Sequence, residues 1–71
     1  MERHYVDSSM IEGIGYDNSR GILEVTFKGG VTWHYPDFPE YMWYEFLGSD
    51  SKGKYFHANI RKQFTSSGYR V

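Results

Sequence analysis

Two short alternations joined by paired glycines constrain this chain more than any other feature. Leu23, Val25 and Phe27 alternate with Glu24, Thr26 and Lys28, and after Gly29-Gly30 the residues Val31, Trp33 and Tyr35 alternate with Thr32 and His34. A period of two puts each apolar set on one face of a half-buried strand. Gly29-Gly30 is a two-residue connection of the kind that closes tight hairpins, and Pro36 ends the second strand because it cannot donate to a ladder. Upstream, Met10–Tyr16 reads as a further strand in which Gly13 and Gly15 mark a bulge or a close backbone approach. Asp17-Asn18-Ser19-Arg20-Gly21 has turn chemistry. The three strands make an antiparallel meander.

A hairpin with one apolar face needs cover, and the second half of the chain has helical spacing. Pro39 suits a first helical position, with Asp37 near enough to help cap the free amides. Met42, Trp43, Phe46 and Leu47 share a stripe, and Gly48 suits the exit. Ser49-Asp50-Ser51 offers caps for a second helix, roughly Ser51–Phe64, with Phe56, Ile60 and Phe64 four apart. The expected fold is therefore α+β: a three-stranded meander followed by two helices packed on one sheet face.

Seventy-one residues make a single domain with a thin core, here about residues 6–64, with residues 1–5 and 65–71 read as flexible ends. Fourteen aromatic rings supply bulk, and the cysteine count is zero. That excludes disulfides, thiolate metal sites and a cysteine nucleophile. No apolar run is long enough for a membrane span and no secretory h-region opens the chain, so a cytoplasmic location is expected. The histidines (His4, His34, His57) are scattered without metal-ligand spacing, so neither metal nor cofactor is expected. Ser8 and Ser9 lack an evident base. Catalysis needs a nucleophile, a base and an orienter in a pocket, and a domain this small is expected not to be an enzyme.

Charge is distributed unevenly. Residues 1–50 carry three cations and all nine carboxylates, a formal −6, whereas residues 51–71 carry Lys52, Lys54, Arg61, Lys62 and Arg70 with no carboxylate, a formal +5. Such asymmetry points to a polyanion partner, although the basic segment can also lie against the acidic part or be an ordinary solvated face. On an α-helix Lys54 and Arg61, seven apart, lie on nearly the same side, with Lys62 one position round. Ser51-Lys52-Gly53-Lys54 either presents amides to an anion or, the preferred reading, uses Gly53 to pack the helix start closely on Tyr16 or the sheet. Trp33 and Tyr35 are either stacking platforms for unpaired bases or, as their alternation favours, rings packed under the helices. The candidate nucleic-acid-binding set is thus Lys52, Lys54, Arg61 and Lys62, with Trp33, Tyr35 and Tyr55 as stacking rings. The competing reading is a protein-interaction module docking through Tyr41, Tyr44 and Tyr69.

Val6-Asp7-Ser8-Ser9-Met10-Ile11, Ile14-Gly15-Tyr16-Asp17 and Leu23-x-Val25-x-Phe27-x-x-Gly30, followed by Trp33-His34-Tyr35, Pro39, Ser51-x-Gly53-x-Tyr55-Phe56 and Ile60-Arg61, resemble the KTSC domain. The resemblance covers about residues 6–64. That family is named for its occurrence at the C-terminus of some lysyl-tRNA synthetases and also occurs as short bacterial and phage proteins. Its central motif is usually Tyr-x-Tyr; here Trp33 keeps a ring and loses a hydroxyl. The resemblance implies an accessory role, with RNA as the partner suggested by the attached tRNA enzyme.

Overall fold

The computed structural model describes residues 2–6, 8–64 and 66–71. Asp7 of the Val6–Ile11 motif, Thr65 of the loop at 65–68 and Met1 lie outside them. The fold is α+β, but its antiparallel sheet has five strands in sequence order rather than three. These are β1 (Glu2–Tyr5), β2 (Ile11–Asp17), β3 (Ile22–Phe27), β4 (Val31–Tyr35) and β5 (Tyr69–Arg70). The central three follow the meander expected from the alternation. The two edge strands escaped it because Arg3-His4-Tyr5 has no apolar alternation and β5 is only two residues long. Residues read as loose ends therefore pair in register, Arg3 with Gly15 and Trp33 with Arg70.

The register between β2 and β3 shifts between Ile11 and Gly13, the bulge that the glycines suggested. The β3–β4 connection is three residues, not two. Phe27 pairs with Val31, the Gly30 amide donates to the Phe27 carbonyl at 3.0 Å, and Gly29 and Gly30 adopt φ of 96° and 85°. Only glycine takes such angles without strain.

Helix α1 (Glu40–Leu47) buries Met42, Trp43 and Phe46. Its entry differs from expectation. Pro39 is the N-cap itself, no side chain caps the helix, and Asp37 turns away in a left-handed conformation with φ 58°. Gly48 ends the helix at φ −89°, so it serves without left-handed geometry. Helix α2 runs without a break through Lys52–Tyr55, a π-helical stretch at Phe56–Ile60, and Arg61–Phe64. Of the cap candidates Ser49, Asp50 and Ser51, it is Ser51 that serves, its Oγ accepting from the Lys54 amide at 3.3 Å. The Arg61 amide donates to the Phe56 carbonyl, an i→i+5 bond.

One core joins the layers: Ile14, Leu23, Val25 and Tyr35 from the sheet meet Trp43, Phe46, Phe56 and Ile60 from the helices. Phe38, from the β4–α1 connection, is also fully buried. Its amide donates to the Gly21 carbonyl at 2.9 Å and its carbonyl accepts from the Tyr16 hydroxyl at 2.6 Å.

Candidate functional site

Two adjoining clefts lie where the start of β2 meets α2. The larger, about 770 Å³, is lined by Ser8, Ser9 and Met10 on one side and by Lys52, Lys54, His57 and Lys62 on the other. Two stretches far apart in sequence, Ser8–Met10 and Asp50–Lys54, thus build one surface. Ser8 shapes it: its Oγ accepts from the amides of Met10 at 3.2 Å and Ile11 at 3.3 Å. A Cβ placed on Gly53 would sit 3.7 Å from the Ser8 Oγ and 4.0 Å from the Met10 methyl, ordinary van der Waals contact. Gly53 therefore faces Ser8 and Met10, not Tyr16, and no steric demand fixes a glycine there.

The cations divide differently from the expectation. Lys54 shares the larger cleft with Lys62, while Arg61 lines the smaller one. A regular α-helix turns about 100° per residue, so positions seven apart coincide. The π stretch between them adds a residue to one turn and shifts the phase by one position. Lys62 thereby takes the place beside Lys54 that regular spacing gives to Arg61. Lys52 anchors its ammonium on the Ser49 carbonyl at 2.7 Å. Among the described residues, Lys52, Lys54 and Lys62 form no ion pair with a carboxylate. Asp50 is the acidic residue in the lining of their cleft.

The smaller cleft, about 400 Å³, is lined by Phe27, Trp33, Tyr35 and Phe56 together with Arg61, and it shares Met10 and His57 with the larger. Trp33 is half-buried and lies nearly parallel to Tyr35, ring centroids 6.4 Å apart. Arg70 is its register partner on β5, so the two side chains share a face. The Arg61 guanidinium donates to the His57 Nδ1 at 3.4 Å.

Of the proposed stacking rings, Tyr35 is not available as a platform. Tyr35 is 6% exposed, with its ring edge-on to Phe56 at 5.9 Å. A Cβ on Gly68 would come within 2.5 Å of that ring, so the chain after α2 closes over it. Burial also pushes the Tyr35 hydroxyl pKa up. Tyr55 lies outside both clefts. Its ring stacks on Phe46 at 5.3 Å and its hydroxyl donates to Glu45 at 2.7 Å, which ties α2 to α1. Burial, and then the Glu45 carboxylate, raise its pKa. Trp33 is thus the half-buried ring of the three that lines a cleft.

The opposite sheet face carries an ion network that single-strand reading missed. Arg3 Nε donates to Glu24 at 2.8 Å, and His34 Nε2 to the other oxygen at 3.0 Å. These bonds, Arg3 foremost, hold the Glu24 carboxyl below its usual range. Arg3, Gly15, Glu24, His34 and Tyr69 are successive register partners across all five strands. Gly15 brings no side chain between Arg3 and Glu24. The signal was present as a cation, a carboxylate and an imidazole, but it needed the β1 register to become visible. Among the described residues no group of three or more His, Asp or Glu could hold a metal ion, and no helix is long and apolar enough to cross a membrane.

A model of the KTSC domain family matches residues 7–64. A protein of Tsukamurella paurometabola is 34% identical over 59 residues, covering 83% of this chain and 88% of its own length. An uncharacterized protein of Stutzerimonas stutzeri is 33% identical over 63 residues, 89% of each chain. Among solved structures, the crystal structure of a KTSC domain protein from Yersinia pestis superposes with a TM-score of 0.88 at 34% identity, covering 99% of this chain and 96% of that one. The matched span takes in both the Ser8–Met10 wall and the lysine-bearing helix, and by sequence and by fold together this chain belongs to the KTSC domain family.

Proposed function

We propose that this chain is a non-catalytic accessory module that binds RNA in the cytoplasm through the phosphate backbone. The observation that carries this reading is the lysine cleft, where Lys52, Lys54 and Lys62 gather without a described carboxylate partner. Three ammonium groups along one concave surface match the spacing freedom of a phosphodiester chain, and lysine contacts phosphate as a point charge. The Ser8 hydroxyl holds two backbone amides and so is spent on the local turn rather than poised as a nucleophile.

Filter binding of a short single-stranded RNA at several salt concentrations tests the reading. Three phosphate contacts give a log–log slope of about −2, from roughly 0.7 per single-strand phosphate. Lys54→Ala and Lys62→Ala are each expected to reduce that slope by about one contact's worth. An affinity indifferent to salt would refute the mechanism.

A second reading rests on α1, whose outer face exposes Tyr41 (66%) and Tyr44 (62%). Exposed tyrosines anchor protein interfaces. Capture from a nuclease-treated lysate that is abolished by Tyr41→Ser/Tyr44→Ser, and untouched by the lysine variants, would favour a protein partner over RNA.

A further inference from the structure

The proposed RNA reading uses only charge, and the aromatic cleft beside the lysines is left without a role. We propose that this cleft seats one unstacked nucleobase of a single-stranded polynucleotide whose phosphates follow the lysine cleft; the inference rests on the reading above and narrows its ligand class.

Contiguity is the first support. Met10 and His57 line both clefts, so the two adjoin and one extended ligand spans both by passing over these two side chains. The second support is lining chemistry. The cleft lies between the β3–β4 hairpin and α2 and offers the half-buried rings of Trp33 and Phe27, with the buried Tyr35 and Phe56 completing its lining. Flat aromatic surface holds a base by stacking and tolerates any sequence, since every base offers a π face. Charge is the third support. Arg61 lines the crevice and Arg70 neighbours Trp33 across the β4–β5 register, so cations stand on the flanks of the ring as well as along the lysine cleft. An apolar peptide side chain would also fit the rings but would make no use of the lysines in the adjoining cleft. A base inside a duplex has both faces stacked and its edge paired, so only an unpaired one can enter.

The protein carries its own reporter. Trp43 is 2% exposed in the core, whereas Trp33 is half-buried at the cleft. A neutral collisional quencher such as acrylamide therefore reaches Trp33 selectively. A short oligouridylate is expected to change the tryptophan emission and to shield it from acrylamide, with the same midpoint as filter binding. Trp33→Phe is expected to bind within a few-fold of the parent without the spectral change. Trp33→Ala is expected to weaken binding about tenfold or more, the loss of one stacked base, while keeping the parent's salt slope. Duplex RNA of equal length is expected to bind correspondingly less well.

Should no oligonucleotide bind in a salt-dependent way, the RNA reading itself falls, and the base seat with it. Salt-dependent binding that is equal for duplex and single strand, with acrylamide access to Trp33 unchanged, overturns the base seat alone. The shielding measurement uses the unmodified protein, so it decides the matter even if Trp33→Ala does not fold.

Discussion

At the scale of single residues, two positions the sequence undersold carry much of the packing. Tyr16 is buried and its hydroxyl donates to the Phe38 carbonyl, which fixes the β4–α1 connection to the sheet. Tyr16→Phe removes the donor and leaves a buried carbonyl unsatisfied, a cost of about 1–2 kcal/mol, measurable by denaturant unfolding. Gly68 looks like a loop residue by composition, yet it lies close against the Tyr35 ring. A methyl there must displace a core aromatic, so Gly68→Ala is expected to cost about 1–3 kcal/mol. Gly53→Ala, with ordinary contacts only, replaces a flexible residue by a better helix former and is expected to raise the melting temperature slightly. Thermal melts of the two alanine variants should thus move in opposite directions. Nothing in the sequence distinguishes these glycines, because the distinction lies in which ring faces each backbone.

At the scale of elements, the sheet is crossed by a row that runs Arg3, Gly15, Glu24, His34, Tyr69. The lowered Glu24 pKa makes the row a source of acid sensitivity. The carboxylate's stabilisation is complete above its unfolded pKa, about 4.3, and is lost as pH falls through its lower folded value. Glu24→Gln is expected to flatten the acid limb of a stability–pH curve below about pH 5 while still bridging β3 to its neighbours less strongly at neutral pH. A variant with an unchanged acid limb would show that the row does not couple to folding. What the sequence revealed at this scale follows from periodicity. Leu23/Val25/Phe27 and Val31/Trp33/Tyr35 announced β3 and β4, and the Phe56/Ile60/Phe64 spacing announced α2. Edge strands of four and two residues have no period to read, and a π stretch leaves no mark in residue types. The larger cleft was half legible: its lysines stood out by charge, but its Ser8–Met10 wall and its exchange of Arg61 for Lys62 depended on tertiary placement.

At the scale of the whole molecule, three of the five C-terminal cations, Lys52, Lys54 and Lys62, gather at one cleft, with Asp50 in its lining. Cations without partners contribute little to folding. Lys54→Ala/Lys62→Ala is therefore expected to leave stability within about 0.5 kcal/mol of the parent while weakening RNA binding, checked by a thermal melt run beside the filter assay. A stability loss of several times that size would mean the lysines hold the fold instead. The π stretch has one more consequence, for the reading of relatives. Because a single surplus residue rotates everything after it, a homologue with a regular helix would have to carry its cation one place earlier to present the same surface. Columns of an alignment across Phe56–Ile60 then cease to correspond to directions in space, and a basic residue that looks shifted by one would be the functional equivalent of Lys62.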